Sequence, residues 1–287
     1  MHVVLFGAGA SHGSETSGKV PPLGRSLFDE LVDFAPATWG ALSSHWSDQF
    51  RDDFEKAMAS YIESDAFGAP LQWDMAEYFY SQFSATKDNT YLALIQAVAS
   101  KIDQCFFATL NYDLLLFQAR KLAGIPSENL KVCLPHGSAC LCCEGISATQ
   151  GTSFTGGLST GGSIRFFRDL ADLRAEKANN VFPPVMSYFE PNKFTVSCSD
   201  FVEAERRQLE QSILSATKVA IVGVKVHPID KHIWEPLVAT KAQILYLSGV
   251  IGANEFLNWR ADVGRSGDIP IPKFFSEGLN ELINFLA

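Results

Sequence analysis

The chain alternates between short, solidly apolar runs and longer stretches in which apolar residues return every three or four positions. Val3 to Phe6 is a β-branched and aromatic run stopped by Gly7 and Gly9, which predicts a buried central strand. "PPLGRSLFDELVDF" then places Leu27, Leu31 and Phe34 at helical spacing. From about residue 40 to 103 the helical stripe dominates. "FRDDFEKAMASYI" aligns Phe50, Phe54, Met58, Tyr61 and Ile62, "WDMAEYFYSQF" aligns Trp73, Ala76, Tyr80 and Phe83, and "YLALIQAVASKI" aligns Tyr91, Leu94, Ile95, Val98 and Ile102. Three amphipathic helices in succession predict a helical layer inserted over 40–103. Its aromatic stripes read as core or oligomer surface rather than as a cofactor box.

Strand signals return in "CFFATLNYD", "KVCLPHGS", "KVAIVGVKV" and "AQILYLSG". Between them lie helical patterns: "DLLLFQARKLAG", closed by Gly124, and a long helix to about Thr217 opened by Asp200 and Glu203 as a capping box. "KHIWEPLVATK" predicts a helix interrupted by Pro236, and "FFSEGLNELINFLA" predicts another. Residues 147–163 are rich in Gly, Ser and Thr and predict a flexible loop. Strands alternating with helices predict an α/β fold: a Rossmann-like, doubly wound parallel sheet with an inserted helical layer, in one domain over 1–287.

Composition narrows the function classes. The 287 residues are 47% hydrophobic, enough for one large core. Lys plus Arg is 23 against 32 Asp plus Glu, a net charge of −9 with no basic block, which argues against direct nucleic-acid binding and against an anionic membrane surface. No apolar run approaches the ~18 residues of a membrane helix. The first residues lack the basic region of a secretory signal. Six cysteines are too few for a disulfide scaffold at this length and read as reduced thiols. A cytoplasmic protein is expected.

The candidate chemistry begins at Gly7-Ala8-Gly9-Ala10-Ser11, directly behind the first strand. Glycines there let the backbone turn tightly and approach a diphosphate, with free N–H groups aimed at the anion. The third glycine of the dinucleotide fingerprint is replaced by His12, and Asp29 or Glu30, near the place of the ribose-binding acid, falls inside the predicted first helix. Three further segments sit at predicted carboxyl ends of strands, where open parallel sheets bind ligands. They are "TLNYD" (Thr109 to Asp113), "LPHGS" with His136, and "VGVKVHPID" with Gly223 and Val224.

Loop, amide, carboxylate and imidazole in this order resemble the sirtuin family, the NAD-consuming silent-information-regulator domains. The wording "GAGAS…NYD…HGS" is more similar to the sirtuin-like domains of bacterial antiphage defence systems than to protein deacetylases. The resemblance implies that residues 7–11 carry the diphosphate of NAD, that Thr109, Gly223 and Val224 line the cofactor site, and that NAD is the substrate. It implies that Asp113 holds the nicotinamide carboxamide, Asn111 orients the ribose hydroxyls or the attacking water, and His136 is the base. With water as acceptor the products are nicotinamide and ADP-ribose, and the activity is that of an NAD-depleting effector. A sensor or ATPase on another chain is the implied partner, and a homo-oligomer stays open.

Departures from the family pattern keep other readings in play. Leu110 stands for the family's glutamine, and Val224 and Lys225 for the last two residues of its "GTS". The zinc ribbon of the deacetylases is missing, since Cys140, Cys142 and Cys143 are followed by no second CxxC pair. Cys133 and Cys198 could complete four thiolates only at irregular spacing, so packed thiols and no metal are expected. Asn111 and Asp113 could simply cap the helix from Leu114, Ser11 could cap the first helix or bond the loop backbone, and His136 could be structural. His227 and His232 read as packing or surface histidines, and Asp230 as an N-cap. The alternative to a hydrolase is a non-catalytic module that binds NAD or ADP-ribose and regulates a partner; deacylation is a third reading.

Overall fold

Strand β1 (His2–Phe6) lies at the centre of a parallel six-stranded sheet in the computed structural model, which describes residues 1–15, 17–64, 68–145, 161–180, 182–187 and 197–287. The other strands are β2 (Cys105–Thr109), β3 (Val132–Cys133), β6 (Lys218–Val222), β7 (Gln243–Ser248) and β8 (Ile269–Pro272). Their order across the sheet is β3-β2-β1-β6-β7-β8. Counting this sheet's strands alone, that is the doubly wound 3-2-1-4-5-6 order, whose direction reverses between β1 and β6. The Rossmann-like fold expected from the strand and helix alternation is therefore present. β4 (Leu141–Glu144) and β5 (Ser163–Phe166) form a separate antiparallel hairpin.

Period-two burial divides the sheet's side chains between two cores. Val4, Phe6, Phe107, Ala220, Val222 and Leu247 face one side. There they meet α2 (Gly24–Phe34), α3 (Ser44–Asp52), α4 (Phe54–Glu63), α5 (Ala69–Ser81), α6 (Thr90–Val98), α7 (Leu115–Leu122) and α12 (Leu279–Leu286). Val3, Leu5, Val219, Ile221 and Ile244 face α9 (Ser199–Ser215), α10 (Lys231–Ala239) and α11 (Val250–Asp262) on the other. The short α1 (Ala8–His12) follows β1, and α8 (Leu170–Asn179) follows the hairpin.

Several local expectations are corrected. The single stripe from Phe50 to Ile62 is two helices, because Asp53 turns extended (φ −147°) and caps α4 by accepting from Lys56 N. Asp200 is not a cap: α9 begins one residue earlier, after Cys198 in the left-handed region (φ 48°), with no side-chain capping bond. α10 runs through Pro236 because Ile233, Trp234 and Leu237 are buried; proline's missing N–H falls on the carbonyl of His232. The last helix starts only at Leu279, behind a turn from Phe274 to Gly278. Cys143 and Cys198, read as reduced, form a disulfide that ties β4 to the head of α9. Their separation of 55 residues hides a proximity that only the tertiary fold creates. Of the loop expected at 147–163, residues 147–160 lie outside the described residues, and Ser163 already belongs to β5.

Candidate functional site

Sheet register places the motifs. Phe6 pairs with Thr109 on one side and with Val222 on the other, so β1, β2 and β6 end on the same rung. The turns at Gly7, Leu110 and Gly223 therefore leave the sheet side by side at its carboxyl edge, at the switch in strand order where such sheets open a ligand crevice. Gly7 N donates to Val222 O and Gly9 N to Gly223 O, each at 2.9 Å. Gly223 has φ 63°, and a Cβ there would lie 2.1 Å from Ala10 N. Only glycine lets the two turns touch. This contact corrects the expectation of free loop amides, since Gly7, Gly9 and Ala10 all spend theirs on main-chain carbonyls, Ala10 on Gly7 O. Ala8 is the exposed tip of the turn.

A polar cluster sits directly under this loop. Asn111 Nδ2 donates to Gly7 O and to Ser11 Oγ, both at 2.9 Å, and Ser11 Oγ is 3.0 Å from the Tyr91 hydroxyl. Thr109 Oγ1 accepts from Asn111 N and so holds the amide in place. Asp113 Oδ1 accepts from Leu115 N at 3.0 Å, which is the capping role weighed for it. Asn111 caps nothing and is spent on the loop, and Ser11 bonds side chains rather than loop backbone. Burial pushes the Asp113 carboxyl above its ordinary range, against the opposing bonds from Leu115 N and the Ser11 hydroxyl. Burial likewise drives the Tyr91 hydroxyl far up, so it remains a proton donor.

His136 lies in the turn after β3, and this turn is hydrogen-bonded to the one that carries Asn111. Tyr112 O accepts from Ala139 N and from Ser138 Oγ. The His136 turn is clamped from the far side as well. Its carbonyl accepts from Ser187 N, Arg206 Nε donates to Pro135 O, and Arg206 Nη2 donates to Ser187 Oγ. Gly137 has φ 74°, and a Cβ there would lie 1.9 Å from Val185 O. The His136 side chain is buried, and its Nε2 lies 2.9 Å from Nε2 of His232, with ring centroids 5.1 Å apart. His232 stands on the first turn of α10 behind Asp230, which holds the N-cap position without a side-chain capping bond.

The fold thus brings residues 7–11, Thr109, Asn111, Asp113, Gly223 and Val224 to one place and ties the His136 turn to it. Val224 is buried, and its carbonyl accepts from the Tyr246 hydroxyl; Lys225 is exposed. Three participants escaped the sequence reading. Tyr91 was one more apolar position of a helical stripe, and only its hydroxyl set it apart. His232 was read as packing or surface, and it does pack, with its ring against that of His136. Its sequence signal was its place shortly after the strand end at Val222, like the other motifs. Arg206 carried no local signal. Among the described residues no group of three or more His, Cys, Asp or Glu could hold a metal ion, and no helix is long and apolar enough to cross a membrane. A groove of about 710 Å³ beside β3 is lined by Phe117, Phe167 and Phe201, and of the motif segments it includes only Leu134 and none of the candidate site residues.

Comparison with known proteins gives likeness in structure alone. No family model matches the sequence, and no curated protein matches it. Among solved structures the chain is similar to a Sir2 homologue mutant bound to ADP-ribose, with 14% identity and a TM-score of 0.48 over 99% of this chain and 90% of that one. It is also similar to a Sir2 homologue in complex with NAD, with 13% identity and a TM-score of 0.46 over 99% and 88%. A third similar structure is a Sir2 in complex with an inhibitor, 2′-O-acetyl-ADP-ribose and a deacetylated peptide, at 13% identity and a TM-score of 0.47 over 99% and 93%. Identities this low transfer no residue's role, so every role must be argued from the geometry of this chain.

Proposed function

We propose that the chain is an NAD glycohydrolase that cleaves the bond between nicotinamide and ribose and releases ADP-ribose. The observation that carries this reading is the convergence of turns at the carboxyl edge of the sheet by the switch point: the glycine turn at 7–11 and the Asn111 turn bonded beneath it, which leave from one rung, and the His136 turn after β3, bonded to the Asn111 turn. Residues 7–11 would take the diphosphate, with Ala8 at the exposed tip and Gly223 and Val224 beside it. Asn111 would orient the ribose or the attacking water, and Asp113 would meet the carboxamide. His136 would take the water's proton as the general base. Water's oxygen bonds to ribose C1′, the glycosidic electron pair leaves with nicotinamide, and one proton is released. By the motif resemblance we infer an NAD-depleting effector of bacterial antiphage defence, cytoplasmic and governed by a sensor or ATPase partner.

The test is chromatographic: pure protein with millimolar NAD, and nicotinamide and ADP-ribose measured over time. Wild type is expected to release both in equal amounts, and His136→Ala and Asn111→Ala to release neither while remaining folded. Full activity in both variants would falsify the assignment. The engaged amides of Gly7, Gly9 and Ala10 favour a second reading, a module that binds NAD or ADP-ribose and reports it to a partner. Micromolar binding by calorimetry without product would establish that alternative. Deacylation of an acetylated peptide, dependent on NAD, is the outcome that would revive the third.

A further inference from the structure

We propose that Asn111 meets its ligand through its carbonyl oxygen, Oδ1, so that the group bound there is a hydroxyl donor, and that Ser11 and Tyr91 are the positioning residues that turn the amide this way. The proposal rests on Asn111 belonging to the NAD site described above. Counting hydrogens fixes the orientation. Gly7 O can only accept, so one Nδ2 hydrogen points at it, at 2.9 Å. The amide nitrogen has no lone pair to offer Ser11 Oγ, also at 2.9 Å, so its second hydrogen goes there. The hydroxyl hydrogen of Ser11 is taken by the Asp113 carboxyl. Tyr91 then has one arrangement left. Among the described residues its hydroxyl reaches only Ser11 Oγ at 3.0 Å and Asn111 Nδ2 at 3.4 Å, and the second is itself a donor. Tyr91 is fully buried, so a hydrogen sent anywhere but to Ser11 would lack an acceptor. Ser11 Oγ is therefore saturated: it accepts from Asn111 and Tyr91, donates to Asp113, and has nothing left for a ligand.

Turning the amide over would set Oδ1 against the lone pairs of Gly7 O, so both hydrogens stay inward and Oδ1 is presented on the other side. Among the described residues Oδ1 takes no hydrogen bond from the protein, and it is not walled off from solvent. It stands in the turn that leaves β2 at the carboxyl edge, beside the turns at Gly7 and Gly223. An amide oxygen can only accept, so its ligand must donate. A ribose hydroxyl or the attacking water meets that condition, and a phosphate or carbonyl oxygen does not. The frame behind the amide is firm. The Tyr91 ring packs edge-on against Phe6 and Phe275, with centroids 5.0 and 5.2 Å apart. Its helix α6 is capped by Asn89, which accepts from Tyr91 N and Leu92 N. Thr90 N donates to Ser14 O at 2.7 Å, which stitches the head of α6 to the segment just after α1.

Nitrogen NMR and calorimetry on the full chain test this. In the ligand-free protein both Nδ2 hydrogens of Asn111 should exchange at least about tenfold more slowly than those of an exposed asparagine, since each is held by a hydrogen bond. Saturating ADP-ribose should leave both in place. A hydrogen that exchanges at the free rate, or one that ADP-ribose takes over, overturns the proposal even if NAD is cleaved. Protected hydrogens undisturbed by bound ADP-ribose uphold it even where cleavage fails. No binding of ADP-ribose removes the site, and the proposal with it. Calorimetry then compares ADP-ribose with analogues lacking one hydroxyl of the terminal ribose. A loss of about tenfold for one analogue identifies the ribose as the donor. Equal affinities identify water, and Tyr91→Phe and Ser11→Ala should then lower kcat about tenfold with KM within about twofold. If the ribose is the donor, both variants should bring the two affinities within about threefold of each other, because a loosened amide no longer favours a hydroxyl. A merely structural role would weaken both ligands alike. Ser11→Thr, which keeps the hydroxyl, should restore what Ser11→Ala loses. Unchanged discrimination and unchanged kcat in both Tyr91→Phe and Ser11→Ala overturn the positioning role.

Discussion

Gly223→Ala tests the contact on which the candidate site is built. Two effects add. Alanine at φ 63° is strained by roughly 1–2 kcal/mol, partly offset by a less flexible unfolded chain. The new methyl also lies 2.1 Å from Ala10 N and 2.4 Å from the carbonyl carbon of Gly9, main-chain atoms that cannot swing aside. Normal contact requires the glycine loop to retreat by more than about 1 Å. That breaks the bond from Gly9 N to Gly223 O and loosens its neighbour at Val222 O, about 1 kcal/mol each. The sum is roughly 3–4 kcal/mol. Gly124→Ala is the matched control, because Gly124 has φ 69° with nothing within 4 Å of its Cβ, so strain alone applies, about 1 kcal/mol. Urea unfolding of the two variants should differ by about 2–3 kcal/mol at an unchanged m value. NAD cleavage should fall about a hundredfold in Gly223→Ala, since the loop is displaced by about an ångström, and stay normal in Gly124→Ala. Equal destabilisation of the two variants, or full turnover in Gly223→Ala, would refute the reasoning.

Lys177 bonds Asp74 and Glu77 where α5 meets α8, and Lys177→Met, which leaves Asp74 with the Thr38 hydroxyl and Glu77 with Arg174, should cost about 1–2 kcal/mol at pH 7 in urea titration. Burial pushes Glu77 up, but the bonds from Lys177 and Arg174 outweigh it and hold its carboxyl below the usual range. A depressed acid stabilises above its unfolded pKa and loses that contribution as pH falls through its folded pKa, so the gap between wild type and Lys177→Met should narrow between pH 7 and pH 4. Asp113 has the opposite sign: burial raises its pKa, so Asp113→Asn should stabilise the fold at pH 7, a benefit that vanishes below about pH 4, while abolishing NAD cleavage. Cys198→Ser opens a loop of 55 residues and should lower stability by on the order of 4 kcal/mol under oxidising conditions, and by far less in a reductant.

Sheet and site were legible to different depths. Strands announce themselves when they are buried on both faces, and Val3–Phe6 and Val219–Val222 are continuous apolar runs for that reason. β8 escaped because it sits at the sheet edge, half-buried, with two prolines in four residues. The break at Asp53 was hidden since both helices keep one apolar phase across it, aligning Phe50 with Phe54. Within the site, Gly7, Asn111 and His136 stood out because local punctuation marks them. Tyr91, His232 and Arg206 did not, because their partners Ser11, His136 and Pro135 lie 80, 96 and 71 residues away. A long-range partner leaves no trace in a local pattern. The disulfide belongs to the same class.

The meeting of Gly9 with Gly223 has a consequence for synthesis. The loop is made before its partner, which follows more than 200 residues later, a delay of roughly 10–40 s at ordinary translation rates. Throughout that interval β1 can pair with β2 on one flank only, and its β6 flank is an open apolar edge. A ribosome-bound chain that stops short of β6 holds Asn111 and His136 but lacks the turn that closes the loop. Partial products that stop before β6 are thus expected to be inert toward NAD and prone to stick to one another, so the NAD cleavage proposed for this chain would begin only once the turn after β6 has been made and folded.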